Sequence, residues 1–235
     1  MIDEFGLHVL PLTFMIDGKQ YQSYLKGQRT DLKQFYTMMR EGKVITTSLP
    51  NLADAEKLLR GILDAGRDVL YIGFSSGLSG TFQAIDLLLS QLAAEYPDRT
   101  VLSVDTLAAS GGQGLLVWYA ARMAENGASI EEVHDWLEDN KLHLAHWFTV
   151  DDLMFLWRGG RVSKTSAWAG TVLNIKPVMH VDGTSSPSRR CADARSRSTR
   201  SSTTWRRARY APSRTRWSSS PTVTASKTPN TLRTR

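Results

Sequence analysis

This sequence lacks both a disulfide framework and a long apolar run. Cys191 is the single cysteine among 235 residues, so no pair of cysteines can cross-link the fold. The N-terminal apolar run at residues 7–16 contains Pro11 and falls far short of the roughly 20 residues that span a bilayer. With neither a signal peptide nor a membrane helix visible in the sequence, we expect a cytoplasmic location and no membrane span.

Apolar side chains nearly vanish after residue 183. Val223 and Leu232 are the only Val, Ile, Leu or Phe residues among the last 52, whereas Ser and Thr supply 22 of these and Arg supplies 12. Residues 1–183 contain 16 Lys and Arg against 22 Asp and Glu, while residues 184–235 contain 13 against 1. Such a tail cannot bury enough apolar area to offset its ordering entropy, so we predict that it is disordered.

Residues 1–183 alternate short apolar runs with longer helical patterns, which is typical of an α/β fold with a mostly parallel sheet flanked by helices. We predict one α/β domain over residues 1–150 and only the start of a second α/β domain over residues 151–183. The predicted strands lie at residues 7–16, 68–74, 100–104, 147–150 and 176–181. The predicted helices lie at residues 31–40, 51–65, 81–95 and 129–142. A further predicted helix runs to Asn126, and the glycines at 111, 112 and 114 loosen its entry.

Two hydroxyl-rich segments are expected as loops at the carboxyl ends of strands, where open α/β sheets bind their ligands. The first is Thr46-Thr47-Ser48, and the second is SSGLSGT at residues 75–81. The helix N-termini that follow offer unpaired N–H groups and a partial positive charge, which favour an anion. We therefore predict a site for a carboxylate or a phosphate.

The second segment also fits a serine hydrolase. GFSSG at residues 73–77 matches the G-x-S-x-G pattern with Ser75 as the nucleophile. In a nucleophile elbow the helix begins at once, whereas two glycines here delay it to about Thr81. A ligand clasp, a nucleophile and hydroxyls that only cap a helix all remain open at this point. The rest of a triad would come in chain order from Asp151 or Asp152 and from His180.

Several motifs together resemble the DegV family of bacterial fatty-acid-binding proteins. They are TTSLPN at residues 46–51, FSSGLSGTFQ at 74–83, DTLAASGGQGL at 105–115, and VDDLMFLWRGGRVSK with GTVLNIKP at 150–177. The resemblance covers nearly all of residues 1–183 in order. It implies a DegV-like fold that is not an enzyme and uses no cofactor. Such a protein encloses one long-chain fatty acid between two α/β domains and presents the carboxyl to a separate ATP-dependent fatty acid kinase.

The resemblance places carboxylate binding on Thr47 and Ser48 in the first segment and on Ser75 and Ser76 in the second. On this interpretation Ser75 binds and attacks nothing. Hydroxyls and helix-end amides can satisfy a desolvated carboxylate without a permanent countercharge. Supporting contacts are expected from Thr46, Gly77 and Arg161. Candidate walls for the acyl chain are Phe74, Leu78, Phe82, Leu115, Trp118, Trp168 and Leu173.

Charged residues elsewhere give weaker signals. His143 and His146 could share one helix face, but no third ligand stands at a useful spacing, so we predict no metal site. Asp105, at the end of a strand, is expected to order the loop that follows.

Two arginines in the GGR region leave a choice open. Arg158 and Arg161 can neutralise a ligand headgroup or form ion pairs with Asp151 and Asp152.

The sequence departs from the family pattern at both ends. The family begins with a strand and loop like VTDSTADL before the segment equivalent to FGLHVLPLTF, so we expect the first strand to be missing. After HVDG the family continues near HLIPVEKxRGRKKS, whereas this sequence gives TSSPSRRCADARSRSTRSS. A one-base displacement lets those codons give HLIPVEKVRGRKKSIDALV. Our hypothesis is that one nucleotide is missing near the codon for Gly183 and that translation is out of frame from Thr184 onward.

On this hypothesis the change of frame removes from the translated sequence an RGR arginine and an SHGD histidine, which the resemblance places near the carboxylate. Because most of the second domain is absent from the sequence, we expect the chain as written to bind fatty acid weakly. An alternative is a basic tail that grips nucleic acid through phosphates, with its two Trp and one Tyr stacking on bases. The frame argument stands against that alternative, and we do not expect nucleic acid as a partner.

Overall fold

The computed structural model describes residues 1–23, 31–150 and 152–163, together with the backbone of residues 178–180. The chain divides into a unit Met1–Ser198 and a unit Thr199–Arg235, and every described residue belongs to the first. The predictions for Asp151, Trp168, Leu173, the side chain of His180 and the basic tail lie outside the described residues.

Seven strands and six α-helices are present in the described part of the chain. The strands are β1 (Thr13–Ile16), β2 (Lys19–Gln22), β3 (Ile45–Ser48), β4 (Val69–Gly73), β5 (Val101–Asp105), β6 (Trp147–Thr149) and β7 (Val178–His180). The helices are α1 (Leu32–Arg40), α2 (Leu52–Asp64), α3 (Thr81–Glu95), α4 (Ser110–Glu125), α5 (Ile130–Asn140) and α6 (Leu153–Arg158), with a 3₁₀ turn at Lys141–His143.

The strands pair in three groups. β4 and β5 are parallel and are flanked by helices, which confirms the predicted α/β class. β1 lies between β2 and β3 and is antiparallel to both, while β6 and β7 form an antiparallel pair. The sequence analysis did not predict these antiparallel pairings.

The first strand is shorter than predicted, and a tight turn follows it. β1 begins at Thr13 and not at residue 7, because Pro11 has no N–H to donate to a ladder. The predicted turn at Asp17-Gly18 is present, and both residues have positive φ, at 51° and 80°. These angles fit the type I′ turn that Asp-Gly favours, so β1 continues directly into β2 as a hairpin.

Two apolar clusters cover the two faces of the β4–β5 pair. Val69 and Tyr71 belong to a cluster with α2 and α3, whose most buried members include Ile85 and Leu92 at 0% exposure. Leu70, which lies between them on β4, packs with Val104 against a second cluster from α4 and α5. This alternation is the two-sided burial expected of a strand covered by helices on both faces.

Local capping fixes several helix ends where the sequence predicted them. Asp31 Oδ1 accepts a hydrogen bond from Gln34 N at 2.9 Å, and Ser129 forms a capping box with Glu132. α3 has the predicted bounds. α5 ends at Asn140, two residues earlier than predicted.

The glycines at 111, 112 and 114 were predicted at the entry to a helix, and they lie in the first turns of α4. The helix begins at Ser110 and contains all three. A Cβ at Gly112 would come within 2.8 Å of His146 Nδ1, so close packing and not helix entry accounts for this glycine.

No helix in the described part of the chain is both long enough and apolar enough to span a membrane.

The second cluster should depend on Leu137, which is completely buried. We expect Leu137→Ala to lower the free energy of unfolding by about 2–5 kcal/mol, because it leaves a cavity that neighbours fill only in part. Urea denaturation measures this change. Leu142→Ala is the matched control, since Leu142 is 66% exposed and its truncation should stay within about 0.5 kcal/mol. Equal losses in the two variants would contradict the described core.

His146 should make stability sensitive to acid. Burial lowers the pKa of its imidazole, and Nδ1 is a buried polar atom without a hydrogen-bond partner among the described residues. The unfolded chain therefore binds a proton at His146 more readily than the folded chain does. The contribution of neutral His146 to stability is complete above the ordinary histidine pKa and declines as the pH falls below that value. We expect the urea midpoint to fall between pH 7 and 5, and less so in His146→Leu. An equal flattening in the exposed control His143→Leu would refute this assignment.

Candidate functional site

A groove of about 1200 Å³ runs beside β4 and meets both hydroxyl-rich segments. Its polar end includes Thr47, Ser48, Gly77 and Arg161. Its apolar lining comes from the N-terminal segment, from α2, from β4 and from α4. The aliphatic and aromatic residues that line it include Leu10, Leu12, Leu58, Leu59, Ile62, Val69, Ile72, Phe74, Leu78 and Val117.

The first hydroxyl segment lies in a strand and not in a loop, which corrects the prediction for residues 46–48. The segment forms most of β3 and pairs with β1, with Ser48 opposite Thr13 and Thr47 opposite Phe14. All three hydroxyl side chains are exposed, and Thr47 and Ser48 line the groove while Thr46 does not. Two residues of the segment therefore line the groove and one residue does not.

Thr13 is a buried partner of Ser48 that the sequence analysis missed. Its hydroxyl is in hydrogen-bond contact with Ser48 Oγ and donates to Leu49 O at 3.4 Å. Thr13 is only 5% exposed, in a strand whose neighbours are apolar. A lone hydroxyl in an apolar strand is the sequence signal that could have identified it.

The second hydroxyl segment leaves β4 as a tight turn around Ser75. Ser75 is 1% exposed, and its Oγ accepts a hydrogen bond from Gly77 N at 3.2 Å. Its N–H donates to Ala108 O at 2.9 Å, and its carbonyl accepts from Leu78 N and Ser79 N at 3.0 and 3.2 Å. The bond from Gly77 uses a lone pair of the hydroxyl and leaves its proton able to donate.

Ser76 is half-buried, and its backbone is held by the neighbouring strand. Its N–H donates to Asp105 Oδ1 at 3.1 Å, and the same oxygen accepts from Leu107 N at 3.1 Å. This confirms that Asp105 orders the loop after β5. Neither Ser75 nor Ser76 lines the groove, whereas the next two residues, Gly77 and Leu78, both do. Their predicted contact with a carboxylate stays a prediction.

Arg161 connects the GGR segment to the second hydroxyl segment. Its Nε donates to Leu78 O at 3.2 Å, and Nη1 donates to Gly159 O. The bond to Leu78 joins residues 83 positions apart and holds a guanidinium at the polar end of the groove. Gly160, with φ at 75°, allows the chain to turn there.

Of the alternatives left open for Arg158 and Arg161, an ion pair with Asp152 is not formed, and Asp151 lies outside the described residues. Asp152 instead caps α6, with Oδ1 accepting from Met154 N at 2.8 Å. The guanidinium of Arg158 lies 5.3 Å from the ring centroid of Phe155.

The N-terminus of α3 also opens on the groove. The helix starts after Gly80, which supplies no capping side chain, and Ser79 Oγ accepts from Thr81 N at 3.2 Å. Residues 77–81 all line the groove. The partial positive charge of a 15-residue helix is therefore directed towards the polar end.

The geometry around Ser75 is not that of a nucleophile elbow. Five residues separate Ser75 from the start of α3 at Thr81, whereas an elbow passes straight from strand to helix with an exposed Oγ. Here Oγ is buried and accepts a hydrogen bond from the backbone. Asp152, one of the two proposed triad acids, is engaged in capping. Ser75 thus differs from the serine of a nucleophile elbow both in its distance from the helix and in its burial.

One edge of β4 lies along the groove. Val69 N donates to Thr100 O at 2.9 Å on the β5 side. Because successive residues of a strand point their polar backbone groups to opposite edges, those of Leu70 and Ile72 lie along the other edge. There Gln113 Nε2 donates to Ile72 O at 3.2 Å. The sequence analysis did not single out Gln113, whose role depends on packing across 41 residues.

Two of the predicted wall residues line the groove, and three described ones do not. Phe74 and Leu78 are groove residues. Phe82 instead stacks on Tyr71 with centroids 6.0 Å apart. The two others on α4, Leu115 and Trp118, are 42% and 41% exposed and lie outside the groove.

Burial and charge both act on Tyr71, which is one of the residues that line the groove. Burial, with a smaller contribution from the negative charge of Asp105, raises the pKa of Tyr71 to about 12. The phenol therefore stays neutral at physiological pH.

The described residues contain no group of three or more His, Cys, Asp or Glu side chains arranged to hold a metal ion.

The chain matches the family model described as "Uncharacterised protein, DegV family" over residues 1–204. That match runs past Gly183, so it does not by itself locate the predicted change of frame. A DegV domain-containing protein of Clostridium perfringens is 41% identical over 182 residues, which cover 77% of this chain and 62% of the relative. The chain thus spans less than two thirds of the length of that relative.

Among solved structures of the same fold are proteins that bind a fatty acid or are loaded with one. A DegV family protein of Thermus thermophilus, described for its fatty acid binding, is 34% identical with a TM-score of 0.65, over 78% of this chain and 63% of that one. A Streptococcus pneumoniae Fatty Acid Kinase (Fak) B3 protein loaded with linoleic acid gives a TM-score of 0.65 at 21% identity, over 76% of this chain and 61% of that one. At this identity the second likeness shows the fold alone. With the family match over most of its length, the chain belongs to the DegV family.

Proposed function

We propose that this protein binds a long-chain fatty acid in the groove beside β4, with the carboxylate at the polar end. The observation that carries the proposal is that one groove joins an apolar lining to the exposed hydroxyls of Thr47 and Ser48, the N-terminus of α3 and the guanidinium of Arg161. An amphiphilic anion is the ligand that needs both parts. The fatty-acid-binding relative of Thermus thermophilus supports the same chemistry.

The polar end offers a carboxylate several donors and a favourable potential. Hydroxyl groups on β3 can donate, Thr47 directly and Ser48 when Thr13 supplies the proton of their mutual hydrogen bond. Charge-assisted hydrogen bonds of this kind contribute about 1.5–3 kcal/mol each. The helix N-terminus and Arg161 add positive potential without a metal. Ser75 and Ser76 remain proposed ligands from the resemblance, although neither lines the groove in this structure.

The apolar part accounts for a preference for long chains. Each methylene that leaves water for this lining contributes about 0.8 kcal/mol. A groove that is partly open to solvent, however, leaves part of the chain hydrated. We therefore propose weak binding by the chain as written, with affinity that increases with the number of carbons.

The protein has no catalytic role of its own in this proposal. We propose that it presents the fatty-acid carboxyl to a separate fatty acid kinase, as the family resemblance implies. The likeness to the Fak B3 protein shows a shared fold and is compatible with this role. Ser75→Ala should leave turnover of a small ester at the background level of the wild-type chain, and enzymatic turnover that Ser75→Ala abolishes would instead support a hydrolase.

We expect Thr47→Val to weaken oleate binding about tenfold or more, because it removes a donor to the carboxylate without changing the side-chain shape much. Displacement of a fluorescent fatty acid from the purified chain measures the ratio of the two dissociation constants.

Thr46→Val is the matched control for this experiment. Thr46 occupies the same strand and is also exposed, but it does not line the groove. Its replacement should leave oleate affinity unchanged. The proposed carboxylate site is wrong if both variants bind like the wild type, or if both lose affinity equally.

The frame hypothesis makes a separate prediction about the gene. We propose that resequencing across the codons for His180 to Arg190 will reveal one additional base. That base would restore a family-like sequence after Gly183 and make residues 184–235 an out-of-frame product. A gene confirmed as written would refute the sequence-error form of the hypothesis and leave a genuine tail or a broken gene.

A further inference from the structure

Asp105 places a fixed carboxylate close to the loop that is proposed to meet a ligand carboxylate. Its Oδ1 accepts from the N–H groups of Ser76 and Leu107, both at 3.1 Å. The ion pairs formed among the described residues do not include Asp105. A like charge beside an anion site weakens binding, so this residue calls for a compensating role.

The loop after β5 shows what that role is. Leu107 has φ at 51°, a left-handed conformation that a branched side chain rarely adopts. The bond from its N–H to Asp105 holds it there. Thr106, completely buried, accepts from Ala108 N at 3.3 Å and donates to Gly73 O at 2.7 Å.

This constrained turn delivers the acceptor that fixes Ser75. Ala108 O accepts from Ser75 N at 2.9 Å, while Asp105 accepts from Ser76 N one residue further along. Two consecutive residues of the second hydroxyl segment are therefore attached to the β5 loop, Ser75 at Ala108 and Ser76 at Asp105. Loss of the Asp105 oxygen removes the acceptor for Ser76 N and for Leu107 N together.

We propose that Asp105 is a positioning residue for the fatty-acid site: its oxygen holds the Ser75–Ser76 loop in place, while its charge opposes the ligand anion. This inference rests on the proposed function. The two effects belong to different features of the same side chain, the acceptor oxygen and the charge. Asparagine retains the oxygen and removes the charge, whereas alanine removes both.

The charge of Asp105 reaches the lining of the groove. It contributes, after burial, to the raised pKa of Tyr71, a residue of the groove lining. An anion bound near this residue would experience the same negative potential. Salt should screen this repulsion in part, because the polar end of the groove is open to solvent.

The test compares Asp105→Asn and Asp105→Ala with wild type in titrations of the full chain with oleate and with oleyl alcohol. We expect Asp105→Ala to weaken both ligands about tenfold or more, since a displaced loop affects either headgroup. Asp105→Asn should strengthen oleate binding about threefold at low salt and leave oleyl alcohol unchanged. Asp98→Asn, an exposed change of the same charge before the start of β5, should alter neither ligand.

Each outcome decides a different part of the inference. Wild-type affinity in Asp105→Ala overturns the positioning role while the proposed function stands. Equal weakening of oleate by Asp105→Asn and Asp105→Ala overturns the division between oxygen and charge.

A wild-type chain that binds neither ligand overturns the proposed function and the ligand role of Asp105 together. Amide hydrogen exchange at Ser76 and Leu107 then tests the loop contact independently of any ligand. Exchange should accelerate at least about tenfold in Asp105→Ala and remain slow in Asp105→Asn, because the lost acceptor is what protects these amides.

Discussion

The hydrogen bonds between the loops after β4 and β5 are the constraint on which the site depends. Thr106 binds Gly73 O, Ala108 O binds Ser75 N, and Asp105 binds Ser76 N. Because these backbone groups are buried or half-buried, each would be costly to leave unpaired. They fix where the second hydroxyl segment leaves the sheet and therefore where α3 begins and which amides its N-terminus directs into the groove.

The groove combines features that are separately common in α/β proteins. An apolar lining along one edge of β4 supplies affinity for a hydrocarbon, and the polar end gives the ligand a direction. β3 contributes to that end only because it pairs with β1, and Arg161 contributes only because it donates to Leu78 O. The polar end is thus assembled from three distant parts of the chain and depends on all of them folding together.

Local signals predicted much of this structure, and long-range pairing accounts for most of what they missed. Asp31, Ser129 and the pattern of α3 are local, and their helices have the predicted starts. Thr46-Thr47-Ser48 seemed a loop because its strand character comes from pairing with residues more than 30 positions away. Of the site residues, Thr47 and Ser48 lie in a hydroxyl-rich segment that the sequence itself indicated, and Arg161 was one of two arginines considered for the headgroup. Thr13 and Gln113 depend on packing that no spacing indicated.

The most direct test of the account is an isotope-filtered NMR experiment on the chain with carboxyl-end and methyl-end labelled oleate. The account predicts nuclear Overhauser contacts from the C2 methylene to the methyl group of Thr47 and to Leu78, and from the terminal methyl to apolar lining residues such as Ile62. Contacts of the C2 methylene with the apolar lining alone, or with residues outside the groove, would contradict it.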